Sequence, residues 1–360
     1  MNKITPIIFI AFISLFLVAS AVKEPDDISV SERRKLASFP EITFDSLSDG
    51  AAMDNFDKYI SDQFPLREDF RKLNAVFQYD VLMQKDIDGI YFADGHISKL
   101  EYPLNTDSVN NMTEKINHIY QTYLENSDCN VYYTIIPDKN YYLAEKNGYP
   151  SIDYDALAGI MADNINIEYI PIFDKLTADD YYLTDSHWRQ ESISKVYQTI
   201  AKAMNVEPSG KYTVNVYGEF SGVFASQSAA SSKTDTLKYI TNDVTDSCTV
   251  YNFETDSYGS IYDFEKAKQD FDKYSLFLSG PAALLTIESP NADTDKELII
   301  FRDSYGSSLA PYFTQNYKKI TLIDIRYVVS DYIGYLIDID SQDVLFAYST
   351  GIINNSYSLK

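Results

Sequence analysis

Ser304 lies in a setting that suits a nucleophilic serine. An apolar strand is predicted at Leu298–Phe301 and a helix-like segment at Leu309–Phe313, with a polar, glycine-containing turn between them. Such a turn lifts a serine Oγ clear of the sheet, and backbone N–H groups at a helix start can hold a developing oxyanion. The same turn also suits a simple helix cap by Asp303 or Ser304, because Asp and Ser favour that position. The residues alone leave both roles open.

A second polar segment places a carboxylate beside an imidazole. Asp185 stands two residues before His187, so it could accept the Nδ1 proton and orient the ring as a general base. The alternative is that Asp185 or Ser186 caps the helix that starts near Gln190, with Trp188 packed beside it. Three histidines occur in the chain, and only His187 lies in a loop beside carboxylates and the sole tryptophan. That position favours it as the base.

The elements that must position these segments follow an alternating pattern. Apolar residues at helix spacing alternate with short β-branched runs, which is typical of βαβ units with helices on both faces of a mostly parallel sheet. The sequence therefore predicts an α/β fold in three layers. The predicted strands are 131–136, 167–172, 284–287, 298–301, 320–325 and 344–348, and the predicted helices include those near 112–123, 154–162 and 193–204.

The domain plan follows from three changes in composition. Residues 1–21 contain an apolar run ending in Ala19-Ser20-Ala21, which is the layout of a signal peptide or an N-terminal membrane anchor. Residues 22–50 are polar and predict a tether. The remaining residues, 51–360, predict one α/β domain, with a Gly, Ser and Thr-rich insertion at about 206–274 that is β-rich or loop-rich.

Composition excludes several classes of function. The net charge of -23 and the pI near 4.4 would repel a polyanion, so nucleic acid is excluded as a partner. Two cysteines, Cys129 and Cys248, are too few for a disulfide framework, and the sequence leaves open whether they pair. Neither has a His or Asp at metal-ligand spacing, and no cofactor is expected. The 31 tyrosines suit sugar stacking or ordinary packing.

The segment Tyr181–Trp188 resembles the signature of the DHHW protein family. These are exported bacterial proteins related to the alginate O-acetyltransferases, within the SGNH hydrolase-like superfamily. Other segments agree with the resemblance in order and spacing, so that it covers nearly the whole exported chain: 36–40, 59–70, 90–95, 136–139, 302–306 and 324–327. The resemblance implies that the α/β domain at 51–360 is SGNH hydrolase-like.

The resemblance implies that Ser304 is the nucleophile, His187 its base and Asp185 the orienting acid. This chain has Ser186-His187 where the family has two histidines. It also reads Ser279-Gly280-Pro281 where related proteins often carry Gly-Asn near an oxyanion hole, which removes an amide donor.

Four further residues are predicted to bind substrate or an oxyanion. Arg326 follows a predicted strand, where ligand-facing residues of open α/β sheets tend to lie, although an ion pair with Asp324 or Asp303 is equally expected. Lys139 follows the strand ending at Ile136 and has the same geometric argument. Tyr305 and Trp188 complete the set, because each adjoins a predicted catalytic residue.

These observations predict serine-dependent acyl transfer, with acetyl the expected group, to a cell-surface carbohydrate, or hydrolysis of its esters. The protein would be exported, and would be secreted or tethered to the membrane by its N-terminal segment. Expected partners are a carbohydrate polymer and a membrane protein that delivers acyl groups. One alternative is an inactive protein of the same fold that binds carbohydrate or assists polysaccharide assembly. A metal-dependent hydrolase using Asp185 and His187 is a weaker alternative, because the sequence nominates no third ligand.

Overall fold

A computed structural model describes residues 4–29, 32, 34–208, 210–229 and 233–360. The chain forms two compact units. The first holds the described residues up to Asp88 and those between 225 and 232, and the second holds residues 89–224 and 233–360. The helices between 51 and 76 belong to the first unit, and the predicted domain boundary at residue 51 stays a prediction.

The first unit is helical. Its helices are α1 (Ile4–Val22), α2 (Phe44–Ser48), α3 (Ala51–Asp62) and α4 (Arg67–Val76), with a π-helical turn at Phe77–Val81, and its short strands are β1 (Ile28–Ser29), β2 (Arg34–Lys35) and β3 (Asp86–Ile87). Helix α1 has 19 residues, a mean hydropathy of 2.5 over its most apolar window and no buried residue. That length is enough to cross a bilayer, and both a signal sequence and an anchor have it.

The second unit contains the remaining strands and most of the helices. In chain order the strands are β4 (Ile90–Ala93), β5 (His96–Lys99), β6 (Asn130–Ile136), β7 (Glu168–Tyr169), β8 (Thr213–Phe220), β9 (Asp235–Thr241), β10 (Thr249–Asn252), β11 (Ser257–Gly259), β12 (Leu284–Glu288), β13 (Glu297–Arg302), β14 (Lys319–Ile323) and β15 (Asp343–Ser349). The α-helices that follow α4 are α5 (Thr106–Ile119), α6 (Lys139–Leu143), α7 (Tyr154–Asn164), α8 (Ser194–Ala203), α9 (Val223–Ser228), α10 (Asp243–Ser247), α11 (Phe264–Gln269), α12 (Tyr305–Leu309), α13 (Ile333–Leu336) and α14 (Thr350–Ile353). A π-helical turn at Tyr120–Leu124 follows α5, and short 3₁₀ turns lie at Glu145–Asn147, Phe173–Lys175, Ala178–Asp180, Gln190–Ser192, Lys273–Leu276, Ala310–Gln315, Ser330–Tyr332 and Ser356–Ser358.

Eight strands form the central sheet in the order β11-β10-β12-β14-β13-β15-β6-β7. The five strands from β14 to β7 are parallel, and the other three extend the sheet in antiparallel fashion. The α/β class with a mostly parallel sheet is therefore confirmed.

The predicted insertion at 206–274 is rich in strands. Its β8 and β9 pair with each other as a hairpin. In contrast, β10 joins the central sheet, with Val250 opposite Ile287 of β12, so this half of the segment completes the sheet.

Layering follows from the alternation of side chains along buried strands. On β13, Leu298 and Ile300 face the core that α8 covers, whereas Ile299 and Phe301 face the core beneath α5 and α7. All four side chains are almost fully buried, and each such burial stabilises the fold by about 1.5–3 kcal/mol. The helix-sheet-helix arrangement gives the three predicted layers.

Parallel strands bring distant residues to one edge of the sheet, because their carboxyl ends all lie there. Strand β6 is followed by Asp138 and Lys139, β13 by Asp303 and Ser304, and β15 by helix α14. The predicted site residues therefore converge on the carboxyl edge.

Candidate active site

Backbone contacts join the two ends of the loop Tyr181–Trp188. Tyr181 and Trp188 form an isolated antiparallel bridge, and the Tyr182 N–H donates to the His187 carbonyl at 3.1 Å. These bonds fold the intervening residues into a compact turn. Asp185 and His187 therefore lie close together at its tip.

Asp235, at the start of β9, fixes the middle of this loop. Its carboxylate accepts the backbone N–H groups of Leu183 and Thr184, both at 2.7 Å, and the Thr184 hydroxyl. The side chain is almost fully buried. Charge-assisted bonds of this kind are roughly twice as strong as neutral ones, so Asp235 holds the loop firmly.

The backbone at Gly222 and Val223 also holds the loop in place. The Gly222 N–H donates to Thr184 Oγ1 at 2.8 Å, and the Val223 N–H donates to Asp185 Oδ2 at 2.9 Å. A Cβ at position 222 would lie 2.3 Å from the Thr184 carbonyl oxygen, closer than real Cβ atoms come. Only glycine allows this approach.

The loop carries Asp185 and His187 into a hydrogen-bonded chain with Ser304. His187 Nδ1 lies 2.7 Å from Asp185 Oδ1, and His187 Nε2 lies 2.7 Å from Ser304 Oγ. The Asp185 side chain is 1% exposed and the His187 side chain 12% exposed. Because an ionised carboxylate can only accept, the network assigns the hydrogen to Nδ1, which leaves Nε2 to accept the serine hydroxyl proton.

Helix capping does not account for Ser304. The Ser304 side chain makes no capping hydrogen bond to α12, whereas Asp303 Oδ1 accepts the Tyr305 N–H at 3.0 Å. Asp303 Oδ2 accepts the Ser349 N–H at 2.8 Å, which ties the turn to the end of β15. The Ser304 hydroxyl is therefore left to pair with His187.

Capping does not account for the acidic loop either. The first helical turn after the loop, Gln190–Ser192, has Arg189 at its cap position and no capping side chain. Asp185 instead bonds to His187 and Val223, as described above.

Tyr274 lies flat against the imidazole. The ring centroids of His187 and Tyr274 are 3.8 Å apart with an angle of 11° between the planes. The Tyr274 hydroxyl donates to Ser308 Oγ at 2.7 Å, which anchors the phenol. Burial raises the pKa of Tyr274 well above its usual value, so it remains a neutral packing surface at ordinary pH.

Tyr305 and Trp188 occupy different environments. The Tyr305 hydroxyl donates to the Ser186 carbonyl at 2.7 Å, and this residue lines the cavity beside Ser304. Trp188 is 0% exposed, and its Nε1 donates to Ser308 Oγ at 2.8 Å. The structure thus brings Tyr305 to the cavity, whereas Trp188 packs beneath it. Complete burial leaves Trp188 no surface with which to touch a substrate.

Lys139 is buried under the acidic loop. Its Nζ donates to the carbonyls of Tyr182 at 2.9 Å and Asp185 at 2.8 Å, with Leu183 at 3.4 Å, and lies 5.2 Å from the centre of the Phe224 ring. Burial lowers the pKa of Lys139 to about 7. The Lys139 N–H groups donate to these carbonyls. In this arrangement Lys139 has no donor left for a substrate or an oxyanion, which is the role that the sequence predicted.

Arg326 forms the ion pair that its sequence position allowed. Its Nε and Nη2 donate to Asp324 at 2.9 and 2.6 Å, and Asp324 is fully buried. Arg326 also lines the cavity, so a role toward substrate stays a prediction.

Ser304 lines a cavity of about 380 Å³, within the range of about 300–1,000 Å³ typical of small-ligand sites. Among the described residues, no group of three His, Cys, Asp or Glu side chains could hold a metal ion. The cavity is lined by Ser98, Lys99, Glu101, Asp138, Lys139, Asn140, Ser186, Phe224, Asp303, Ser304, Tyr305, Arg326, Ser349, Gly351, Ile352 and Asn355.

The segment expected near an oxyanion hole lies elsewhere. Ser279 and Pro281 line a separate depression with Asn252 and Asp263. The Ser279 hydroxyl donates to Asp263 at 2.7 Å. Both cysteines are thiols, so no disulfide forms between Cys129 and Cys248.

Sequence reasoning missed the residues that support the loop. Asp235, Val223 and Tyr274 all belong to the predicted insertion, where no periodic pattern marks them. Gly222 carried the only usable signal, since an isolated glycine between strand and helix indicates a close backbone approach.

Comparisons with solved structures identify proteins of the same fold. A DHHW family protein from Eubacterium siraeum superposes with a TM-score of 0.62 at 23% identity, covering 76% of this chain and 95% of its own. Bacillus cereus PatB1 with a sulfonyl adduct gives 0.58 at 19% identity, covering 73% and 95%. A second PatB1 structure gives 0.57 at 18% identity, covering 73% and 96%. No family profile matches the chain, and no curated protein sequence does.

Proposed function

We propose that this protein transfers an acyl group through a covalent ester on Ser304. The observation that carries the proposal is the unbroken hydrogen-bonded chain from Asp185 through His187 to Ser304. Each contact is 2.7 Å, which is within the reach required for proton transfer. Such a chain is recognised by geometry and not by the order of its members along the sequence.

In the first half-reaction Ser304 Oγ attacks the carbonyl carbon of an acyl ester. His187 Nε2 takes the hydroxyl proton as the C–O bond forms, and the buried Asp185 carboxylate stabilises the resulting imidazolium. His187 then gives this proton to the departing oxygen of the donor as the old ester bond breaks. The acyl group is left on Ser304 as an ester, and His187 is neutral again.

In the second half-reaction an acceptor hydroxyl gives its proton to His187 Nε2 while its oxygen attacks the serine ester. The bond to Ser304 Oγ breaks, and that oxygen takes the proton back from Nε2. Water in place of the acceptor gives hydrolysis. The ratio of transfer to hydrolysis therefore depends on how well the cavity holds an acceptor and excludes water.

We assign acetyl as the acyl group and a cell-surface carbohydrate as the acceptor. The support is the resemblance of the segment Tyr181–Trp188 to a family related to O-acetyltransferases, together with the shared fold of the DHHW protein and PatB1. Helix α1 would export the chain or anchor it beside a membrane protein that delivers acetyl groups. The proposed location is outside the cytoplasm.

Acylation of the full-length protein in detergent tests the proposal. The protein is mixed with 4-nitrophenyl acetate, and the burst of 4-nitrophenol is followed together with the mass of the Ser304 peptide. Wild type should give a burst and an acetylated peptide, and Ser304→Ala should give neither. Phenylmethanesulfonyl fluoride should abolish the burst by sulfonylating the same hydroxyl, since PatB1 forms a sulfonyl adduct.

Ser257→Ala is the matched control, because Ser257 is exposed on β11 outside the cavity. Equal turnover by Ser304→Ala and wild type would reject the proposal. Glycan binding that survives His187→Ala, in the absence of ester turnover, would instead favour the carbohydrate-binding alternative.

A further inference from the structure

Three carboxylates line the cavity beside Ser304, and two of them are occupied by donors from the protein. Asp138 accepts the Asn140 N–H at 2.8 Å, the Tyr154 hydroxyl at 2.9 Å and the Thr350 hydroxyl at 2.6 Å. Asp303 accepts two backbone N–H groups, as described above. Neither carboxylate has an oxygen that lacks a protein donor.

Glu101 differs from both. Its side chain is half-buried on the segment after β5, and the residues that the structure describes offer its carboxylate no hydrogen-bond donor. Its backbone is held, because the Glu101 carbonyl accepts the Ile152 N–H at 2.9 Å. Its Oε1 lies beside Gly351, since a Cβ added there would come within 3.8 Å of that oxygen. An unused acceptor on a held backbone thus stands at the cavity wall.

The cations of the cavity are placed differently. Lys139 is held by loop carbonyls and Arg326 by Asp324, and only Lys99 is exposed. Two of the three cations are thus occupied, and the third, Lys99, lies near the unused Glu101 carboxyl, so the cavity offers an anionic ligand little net attraction. A neutral ligand rich in hydroxyl groups supplies the donors that the Glu101 carboxylate lacks, without a charge that must be desolvated.

We infer that Glu101 determines acceptor specificity by accepting a hydrogen bond from a hydroxyl group of a neutral oligosaccharide bound beside Ser304. The inference rests on the proposed acyl transfer and concerns its second half-reaction. Glu101 holds the acceptor and takes no part in acylation of Ser304. Loss of its charge therefore weakens use of the sugar and leaves the burst intact.

The test compares full-length wild type with Glu101→Gln and Glu101→Ala in detergent, with 4-nitrophenyl acetate as donor. Maltotriose, cellotriose and chitotriose serve as acceptors, and methanol serves as an acceptor with a single hydroxyl. The measured quantity is the ratio of acetylated acceptor to acetate. Glu145→Gln is the matched control, because Glu145 is exposed and outside the cavity.

At least one trisaccharide should be acetylated by wild type in preference to methanol at equal hydroxyl concentration. The assays are run at pH 8, above the pKa of about 7 to which burial raises Glu101. Glu101→Gln should then raise the trisaccharide concentration needed for half-maximal transfer about tenfold, because a charged acceptor is replaced by a neutral one. Glu101→Ala should raise it further. The burst and the transfer to methanol should match those of wild type in both variants, which also shows that they are folded.

Each other outcome overturns the inference. Absence of a burst in wild type overturns the proposed function along with it. A wild-type burst without preference for any trisaccharide, or an unchanged ratio in Glu101→Ala, overturns only the assignment to Glu101. A weaker burst in the Glu101 variants places the residue in acylation and overturns its role toward the acceptor.

Discussion

Replacing Asp185 by Asn tests the hydrogen-bonded chain at its buried end. Asp185 Oδ1 accepts from His187 Nδ1 at 2.7 Å and from the His187 N–H at 3.1 Å, and Oδ2 accepts from the Val223 N–H at 2.9 Å. Asn has nearly the same size, but only one acceptor oxygen and an NH₂ group that donates. The backbone N–H of Val223 cannot change, whereas a neutral imidazole can move its hydrogen. We therefore expect the amide oxygen of the variant to accept from the Val223 N–H and its NH₂ group to face His187.

That arrangement transfers the hydrogen from Nδ1 to Nε2 of His187, and a protonated Nε2 cannot accept the Ser304 proton. The same exchange in the serine-protease triad lowers kcat about 10⁴-fold. At about 1.36 kcal/mol per tenfold, this corresponds to a barrier higher by about 5.5 kcal/mol. Either orientation sets the NH₂ against one backbone N–H, and an unsatisfied buried pair of donors costs about 1–3 kcal/mol. The expected orientation gives up the longer backbone contact, 3.1 Å to the His187 N–H, and keeps the 2.9 Å contact to the Val223 N–H.

The assay is the rate constant of the 4-nitrophenol burst for Asp185→Asn, wild type and Ser304→Ala. Thermal unfolding followed by circular dichroism shows whether each variant is folded. Asp180→Asn is the matched control, because the Asp180 carboxylate bonds only to Thr177 in the same segment. A folded Asp185→Asn within tenfold of the wild-type rate would refute the assigned tautomer and the role given to Asp185.

Gly222→Ala should lower the burst rate about 100-fold by displacing the loop through its contact with the Thr184 carbonyl, whereas Gly259→Ala, with no atom within 4 Å of the added Cβ, should match wild type. Tyr274→Phe should stay within about tenfold of the wild-type burst rate, since it loses one hydrogen bond worth about 0.5–1.5 kcal/mol. Tyr274→Ala should lose the support under the imidazole and about 3–5 kcal/mol in the free energy of unfolding by denaturant titration. Burial raises the pKa of Glu101 from 4.5 to about 7, so folding favours its protonated form. The Tm of wild type should therefore fall relative to that of Glu101→Gln as the pH rises from 4.5 to about 7. Parallel curves of Tm against pH for the two proteins would contradict this.

Local sequence patterns predicted the central strands of the sheet. The run Val131–Ile136 becomes β6, and the runs near Leu298 and Val344 become β13 and β15, because β-branched residues bounded by turns favour buried strands. Parallel pairing then brings their carboxyl ends together. His187 and Ser304 were nominated from composition and local setting, and their catalytic roles stay proposals.

What the sequence could not predict depends on contacts between segments far apart in the chain. Asp235 caps a loop some 50 residues earlier, and Tyr274 stacks on an imidazole without any periodic pattern that would mark it. Tertiary packing determines such positions, and local sequence propensity does not encode that packing.

The loop Tyr181–Trp188 is secured from several places in the chain: Lys139 after β6, Gly222 and Val223 at the start of α9, and Asp235 at the start of β9. Its imidazole then meets a hydroxyl that follows β13. A polypeptide emerging in order from its amino end therefore has no competent nucleophile until most of it has been made and packed. During refolding, secondary structure should return before the proposed esterase activity, and truncation after β13 should abolish that activity.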